Sequence, residues 1–282
     1  VSDFWQALAS YAFMQNALLA GLLASLACGV VGTFVVARRI SYLAGAIAHS
    51  VLAGLGAARY LQVVNGWQWA DPLGGALVAG VLAALIMGLV SLKAREREDT
   101  IIGAIWAVGM ALGILFMAAT PGYGTDLMGY LFGNILMVSP GDLWAMAALD
   151  LVVLAVGLGL YRGLGAVCFD EEFARVRGLN VELYFLLLLV LTALTVVLLA
   201  TVVGIVMVIA LLTLPAAIAG RLAGRLWQIM GLAVVISAVF TTAGLGLSYG
   251  PDLPAGAFII VLAGAVYILA SLWGWLRGRG RA

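Results

Sequence analysis

Apolar residues run along this chain in long blocks broken by charge, without the alternation of a half-wet strand or the narrow stripe of a soluble helix. The blocks cover about 12–36, 43–60, 73–92, 101–118, 143–161, 183–201, 203–220, 227–248 and 257–276. Each is close to the roughly 20 apolar residues that cross about 30 Å of hydrocarbon as a helix, so the pattern predicts nine transmembrane spans. The sixth and seventh blocks are almost continuous through "LLATVVGIVMV" around Gly204. Joining them would give eight.

Charge decides between the two counts. Basic residues gather at Arg38 and Arg39, at Lys93, Arg95 and Arg97, at Arg162, Arg175 and Arg177, at Arg221 and Arg225, and at Arg277, Arg279 and Arg281. With every cluster placed in the cytoplasm by the positive-inside rule, nine spans alternate without conflict, the amino terminus outside and the carboxyl terminus inside. Eight spans would move the Arg221 and Arg277 clusters outside. On the nine-span reading only Arg59 faces outward, while Asp3, Asp71, Asp126, Asp142 and Asp252 make the outer loops acidic.

Composition then removes whole classes of function. Hydrophobic residues make up 65% of the 282 and charged residues 10%, against about 25% charged in soluble domains. No sizeable soluble domain fits beside the spans, so residues 1–282 are read as one transmembrane domain. The opening "VSDFWQALASYAF" lacks a basic stretch followed by an A-x-A cleavage site, and the first hydrophobic stretch is expected to stay as a span. Many of the 36 glycines lie inside the blocks, where small residues let helix backbones approach closely in lipid. Cys28 and Cys168 have neither CxxC spacing nor an extracellular pattern and read as packing residues.

Two connecting segments are longer than turns. In "RGLGAVCFDEEFARVRGLNVEL", Arg162 to Leu183, the acids Asp170, Glu171 and Glu172 precede Arg175 and Arg177, and Gly178 follows. That order predicts a short helix with acid at its start, base at its end and a glycine stop. The charge order alone favours a solvated connector; the sharper reading is a docking surface, since Phe173 and Val176 beside the charges are more than a linker needs. The outer segment Thr120 to Asp142 has a core, Leu127 to Val138, too short to span and carrying Tyr130 and Asn134, which predicts an interfacial or re-entrant helix ended by Pro140 and Gly141. "LSYGPDLPAGAF", Leu247 to Phe258, is a second outer turn.

Few side chains inside the spans carry chemistry. His49 is the only histidine of the chain and lies in "SYLAGAIAHSVLAGLGAARYL"; Asp150 lies midway along "LWAMAALDLVVLAVGLGLY". Ionisable groups within spans face a cavity or a partner and mark functional sites, but a neutral imidazole bonded to a neighbouring carbonyl, or an aspartate paired with a distant Asn or Ser, satisfies the same residues structurally. Met110, Met117, Met146 and Met207 offer thioethers to a soft ion and also fill gaps in cores.

The order of "VVARRISYLAGAIAHSVLAG", "GNILMVSPGDL", "FDEEFARVRGLNV", "VVGIVMVIALLTLPAAIA" and "LSYGPDLPAGAFIIVLAGAVYIL" resembles the membrane subunits of ATP-binding-cassette importers for zinc, manganese and iron, the metal branch of the type II importers. The resemblance implies an all-α polytopic bundle of eight to nine transmembrane helices in a bacterial plasma (inner) membrane. It implies a homodimer around a translocation path, with a dimeric cytoplasmic ATPase and an external solute-binding protein as partners, lipid around it and no nucleic acid. Residues 166–182 correspond to the segment that couples to the ATPase, with Asp170, Glu171, Glu172, Phe173, Ala174, Arg175 and Gly178 at the interface. Gly45, His49, Ser50 and Asp150 are the residues expected along the path, with His49 a transient metal ligand. The family's second span commonly places an aspartate four residues before the histidine; here that position is Gly45. No cofactor is expected to bind tightly, and the chain has no G-x-x-x-x-G-K-[ST] loop, so ATP and magnesium belong to the partner and the chain is not itself an enzyme. Alternatives are a permease for an iron chelate or cobalamin and, from another class, a secondary transporter, which would need several intramembrane acids in repeated halves. A membrane-embedded enzyme would need a constellation such as H-E-x-x-H.

Overall fold

The computed structural model describes residues 2–93, 98–121, 133, 135–250 and 253–279. Among them the chain forms α1 (Ser2–Ser10), α2 (Ala12–Ala37), α3 (Ser41–Val64), α4 (Pro72–Lys93), α5 (Glu98–Ala119), a single 3₁₀ turn at Ile135–Met137, α6 (Pro140–Gly159), α7 (Tyr161–Phe169), α8 (Glu171–Val176), α9 (Val181–Val203), α10 (Ile205–Leu222), α11 (Leu226–Tyr249) and α12 (Ala255–Arg279). Nine of these helices are long and apolar enough to cross a membrane, which agrees with the nine-block reading. The helices α1 and α7 were not expected: α1 tucks Phe4 against Tyr249 and Gly246 of α11, and α7 starts where α6 stops, at Gly159 rather than 161.

Buried α2 is the hub, touching α6, α9, α10 and α11. Its glycines make this possible. A methyl group on Gly32 would collide with the Leu212 carbonyl of α10, and one on Gly29 would stand 2.7 Å from the Val234 nitrogen of α11. Close backbone approach of this kind substitutes for hydrophobic attraction, which is absent between helices in lipid. Helix α3 packs on α4 and α5 in a second layer, again through small residues: a Cβ on Gly109 of α5 would lie 2.9 Å from the Ser50 Cα of α3.

The break between α9 and α10 falls on Gly204, with φ 86° and ψ 149°, backbone that is essentially restricted to glycine. The two blocks are therefore separate helices. Gly133 abuts Val203 and Gly204, and the neighbouring Ile135 side chain reaches Gly21, nine residues into α2 and so about 14 Å along it. Gly133 and Ile135 thus pack against the α9–α10 junction and α2. Most of the helix expected over Leu127–Val138, including Tyr130 and Asn134, lies outside the described residues, as do Arg95, Arg97, Asp126, Asp252 and Arg281; its last residues form the 3₁₀ turn and lead to Ser139. There Ser139 and Asp142 cap α6 reciprocally: the Asp142 N–H donates to Ser139 Oγ at 3.3 Å and the Ser139 N–H to Asp142 Oδ2 at 2.9 Å, with Pro140 at the first position.

At the opposite end α2 turns into α3 through three residues. The Arg39 N–H donates to the Val36 carbonyl at 3.1 Å and the Ile40 N–H to the Val35 carbonyl at 3.0 Å, the double bond pattern of a Schellman stop. Arg39 takes the left-handed conformation there, φ 63°, among described residues the one non-glycine to do so.

Candidate functional site

Two places on this scaffold hold the residues singled out by sequence. The first is the seam of α3 and α5. Helix α3 carries His49 eight residues from its first residue, about 12 Å up from the Arg38 end. Its half-buried imidazole stacks on the indole of Trp106 from α5, ring centroids 5.0 Å apart and planes inclined by 11°. His49 Nδ1 is buried and accepts or donates no hydrogen bond, so the structural use of a histidine bonded to a neighbouring helix does not apply to that atom. One turn below, a Cβ on Gly45 would meet nothing within 4 Å although the residue is buried. A hollow therefore stands where the family's aspartate would point.

Trp106 was not anticipated. The other tryptophans lie in loops or toward helix ends, such as the stacked pair Trp67 and Trp69, where amphipathic rings suit the membrane boundary. Trp106 lies inside a span, and that position is the signal that could have found it. Around it α5 turns Gly103, Ala104, Ala107, Val108 and Ala111 outward, a face with small side chains that no helix among the described residues covers.

Ser50 and Asp150 are placed differently. The Ser50 hydroxyl donates to the Ala46 carbonyl of its own helix at 2.8 Å and packs against Gly109, holding the α3–α5 seam. Asp150 of α6 is buried beside Ala27 and Cys28 of α2, and its Oδ2 has no hydrogen-bond partner. It is not brought to His49. Met117, Met146 and Met207 are core residues and Met110 packs on the core. Among the described residues no three His, Cys, Asp or Glu side chains converge on a metal site.

The second place is the α7–α8 protrusion. Asp170 caps α8, accepting from the Phe173 N–H at 2.9 Å. Gly178, φ 78°, ends it, and Asn180 caps α9 by accepting from the Leu183 N–H at 3.1 Å. Ala174 is buried on Val167 and Val181, which fixes the helix to the bundle. Phe173 and Val176, three apart on α8 and so on one side, stay exposed, Val176 by 88%, as does Phe169 at the end of α7. An apolar ridge on a charged helix outside the spans is built to be covered. On the bundle side Glu171 is ion-paired with Arg38, whose guanidinium lies 5.4 Å from the Phe185 ring centroid of α9. Burial pushes Arg38 below the ordinary arginine value, and the neighbouring Cys168 opposes the shift; arginine starts high enough to stay charged. The sequence order acid, base, glycine was legible here, and the pairing to Arg38 was not.

The sequence profile of the ABC 3 transport family matches residues 10–274. The chain is 43% identical over 260 residues to an uncharacterized membrane protein of Synechocystis sp., covering 92% of this chain and 90% of that one. It is 37% identical to the manganese transport system membrane protein MntC of Halalkalibacterium halodurans, over 95% of this chain and 89% of that one. Among solved structures it is similar to PsaBC from Streptococcus pneumoniae in complex with Fab, with a TM-score of 0.84, 31% identity, and coverage of 95% of this chain and 94% of that chain.

Proposed function

We propose, from the premise that the chain belongs to the ABC 3 transport family, that it is the permease subunit of an importer for a divalent transition metal. Manganese is the cargo favoured by the name of its relative MntC. The chain is a multi-pass membrane protein, and in this reading its basic end, with Arg38, Arg175 and Arg221, faces the cytoplasm. The observation that carries the reading is the combination, on one bundle, of a histidine inside a span whose buried Nδ1 has no hydrogen-bond partner with an exposed apolar ridge beyond it. The ridge of Phe169, Phe173 and Val176 docks on a separate ATPase, which holds the ATP and magnesium. A second copy of the chain covers the small-residue face of α5, so that the path runs beside α3, and an external binding protein delivers the metal.

His49 acts as a relay ligand. Imidazole suits transition metals, and manganese prefers oxygen ligands beside it; with Gly45 in the acid's position the remaining ligands are water and backbone carbonyls, and a site so poor in protein ligands releases its ion. A chelated metal is the second reading, favoured by the hollow at Gly45 and the flat face of Trp106. Proteoliposomes holding the permease and its ATPase, supplied with the binding protein and Mn²⁺, should accumulate metal only with ATP. Accumulation without ATP would overturn the importer reading, and uptake of a metal chelate but not of free Mn²⁺ would favour the second.

A further inference from the structure

Two hollows lie side by side at the Arg162 end of α6. One, of about 630 Å³, opens at the α6–α7 break and is lined in part by Tyr161, Arg162, Phe173, Arg177 and Tyr184. Its lining contains two guanidinium groups and no carboxylate, and neither arginine forms an ion pair among the described residues. The Arg177 guanidinium lies 5.1 Å from the Phe173 ring centroid, which holds it at the rim. The other hollow, of about 520 Å³, is an apolar groove on the lipid-facing flank between α2, α6 and α11. Leu158 and Tyr161 line both. From Trp227 to Val234 the groove follows α11 for seven residues of helix, or about 10 Å.

A basic cavity beside an apolar groove, the two sharing Leu158 and Tyr161 as walls, suits an amphiphile with an anionic head. We propose that the pair of hollows binds one anionic phospholipid, its phosphate held by Arg162 and Arg177 within the cavity bearing the Tyr161 and Tyr184 phenols, and one acyl chain laid along the groove. Neither hollow alone requires this ligand: a phosphate site needs no groove, and a lipid-facing groove needs no charge. Basic pockets at this level of a membrane attract acidic headgroups. The bound lipid bridges the last turn of α6 to α8 through Arg177, so that the acidity of the surrounding leaflet bears on the segment that presents the apolar ridge. The inference rests on the chain's spanning a membrane and is independent of what it transports.

Native mass spectrometry of the purified full chain in detergent, offered equal amounts of phosphatidylglycerol and phosphatidylcholine with identical acyl chains, tests it. Phosphatidylglycerol should be retained about 30-fold more, the factor that two basic side chains near an acidic surface supply. The Arg162→Gln/Arg177→Gln double variant should bring the two lipids to parity, and Gly231→Phe should lower retention of phosphatidylglycerol by filling the groove, since a side chain there meets no atom within 4 Å. Parity in the unaltered chain, or unchanged preference in the double variant, overturns the proposal. Displacement of the lipid by millimolar glycerol phosphate would assign the cavity to a free phosphate instead, and loss of ATPase binding by the double variant in lipid-free detergent would assign the arginines to a protein interface; either overturns it.

Discussion

Arg38, at the end of α2, is ion-paired with Glu171 in the first turn of α8. Three residues beyond Arg38, α3 begins, and eight residues further stands His49. The protruding helix and the helix of the candidate metal relay are therefore joined by one ion pair and a turn too short to absorb a displacement.

Breaking that link should uncouple the two ends. Arg38→Ala or Glu171→Ala is expected to lower ATP-dependent uptake about fivefold, in line with about 1 kcal/mol for a partly shielded pair, while ATPase pull-down is retained. The exchange Arg38→Glu with Glu171→Arg should recover much of the loss. Equal uptake in all the variants would remove the pair from the transport cycle.

Gly178→Val should act on docking itself. A β-branched residue at φ 78° costs about 1–2 kcal/mol and displaces the stop of α8. Glu172→Lys reverses an exposed charge on the same helix. Both are expected to weaken ATPase pull-down with the permease still folded; wild-type binding by both would show that the ridge docks elsewhere.

His49→Ala should reduce uptake without reducing ATPase binding, and Gly45→Asp should retain metal through filtration, because the hollow accepts the side chain and places a carboxylate one turn from the imidazole. Normal uptake by His49→Ala, with a lowered melting temperature, would return the histidine to a packing role. Gly109→Val serves as a contrast: its side chain strikes the Ser50 backbone, so a thermal melt should report a loss of about 1–3 kcal/mol and separate seam damage from site damage.

Cys168, buried beside Arg38 and outside the spans, has its thiol pushed up to about 12 by burial, which outweighs the opposing charge of Arg38. Its thiolate is scarce below that pH, so maleimide labelling at pH 8 should be slow in the unaltered chain. Labelling in Arg38→Ala should be slower still, because loss of the cation leaves the effect of burial unopposed. Cysteines introduced at Asp71 and Glu96 supply the orientation test: an impermeant reagent outside intact cells should modify the first and not the second.

What the sequence made legible follows from the solvent. Lipid demands that every span satisfy its own backbone, so block lengths and flanking arginines report nine helices directly, and even the doubtful junction at Gly204 carries its own glycine. Helix α8 was readable because caps and stops are local: Asp170 and Gly178 do in the structure what their order announces. Helix α7 was hidden because "YRGLGAVCF" buries only Gly163, Leu164, Val167 and Cys168, a stripe too short for periodicity to stand out. The stack of His49 on Trp106 and the pairing of Arg38 with Glu171 join residues 57 and 133 positions apart (106 − 49 and 171 − 38). No local pattern encodes which helix will lie beside which, and Asp150, plausible for the path by its depth alone, turned out to face α2.

The left-handed turn at Arg39 has a consequence for how the chain is made. Glycine would fill that backbone position with less strain, yet an arginine occupies it, beside another arginine. On the orientation proposed above, Arg39 adds to this turn a positive charge of the kind that holds a hairpin's end in the cytoplasm during insertion. Arg39→Gly should then yield a turn that folds more easily on a hairpin that inserts less faithfully.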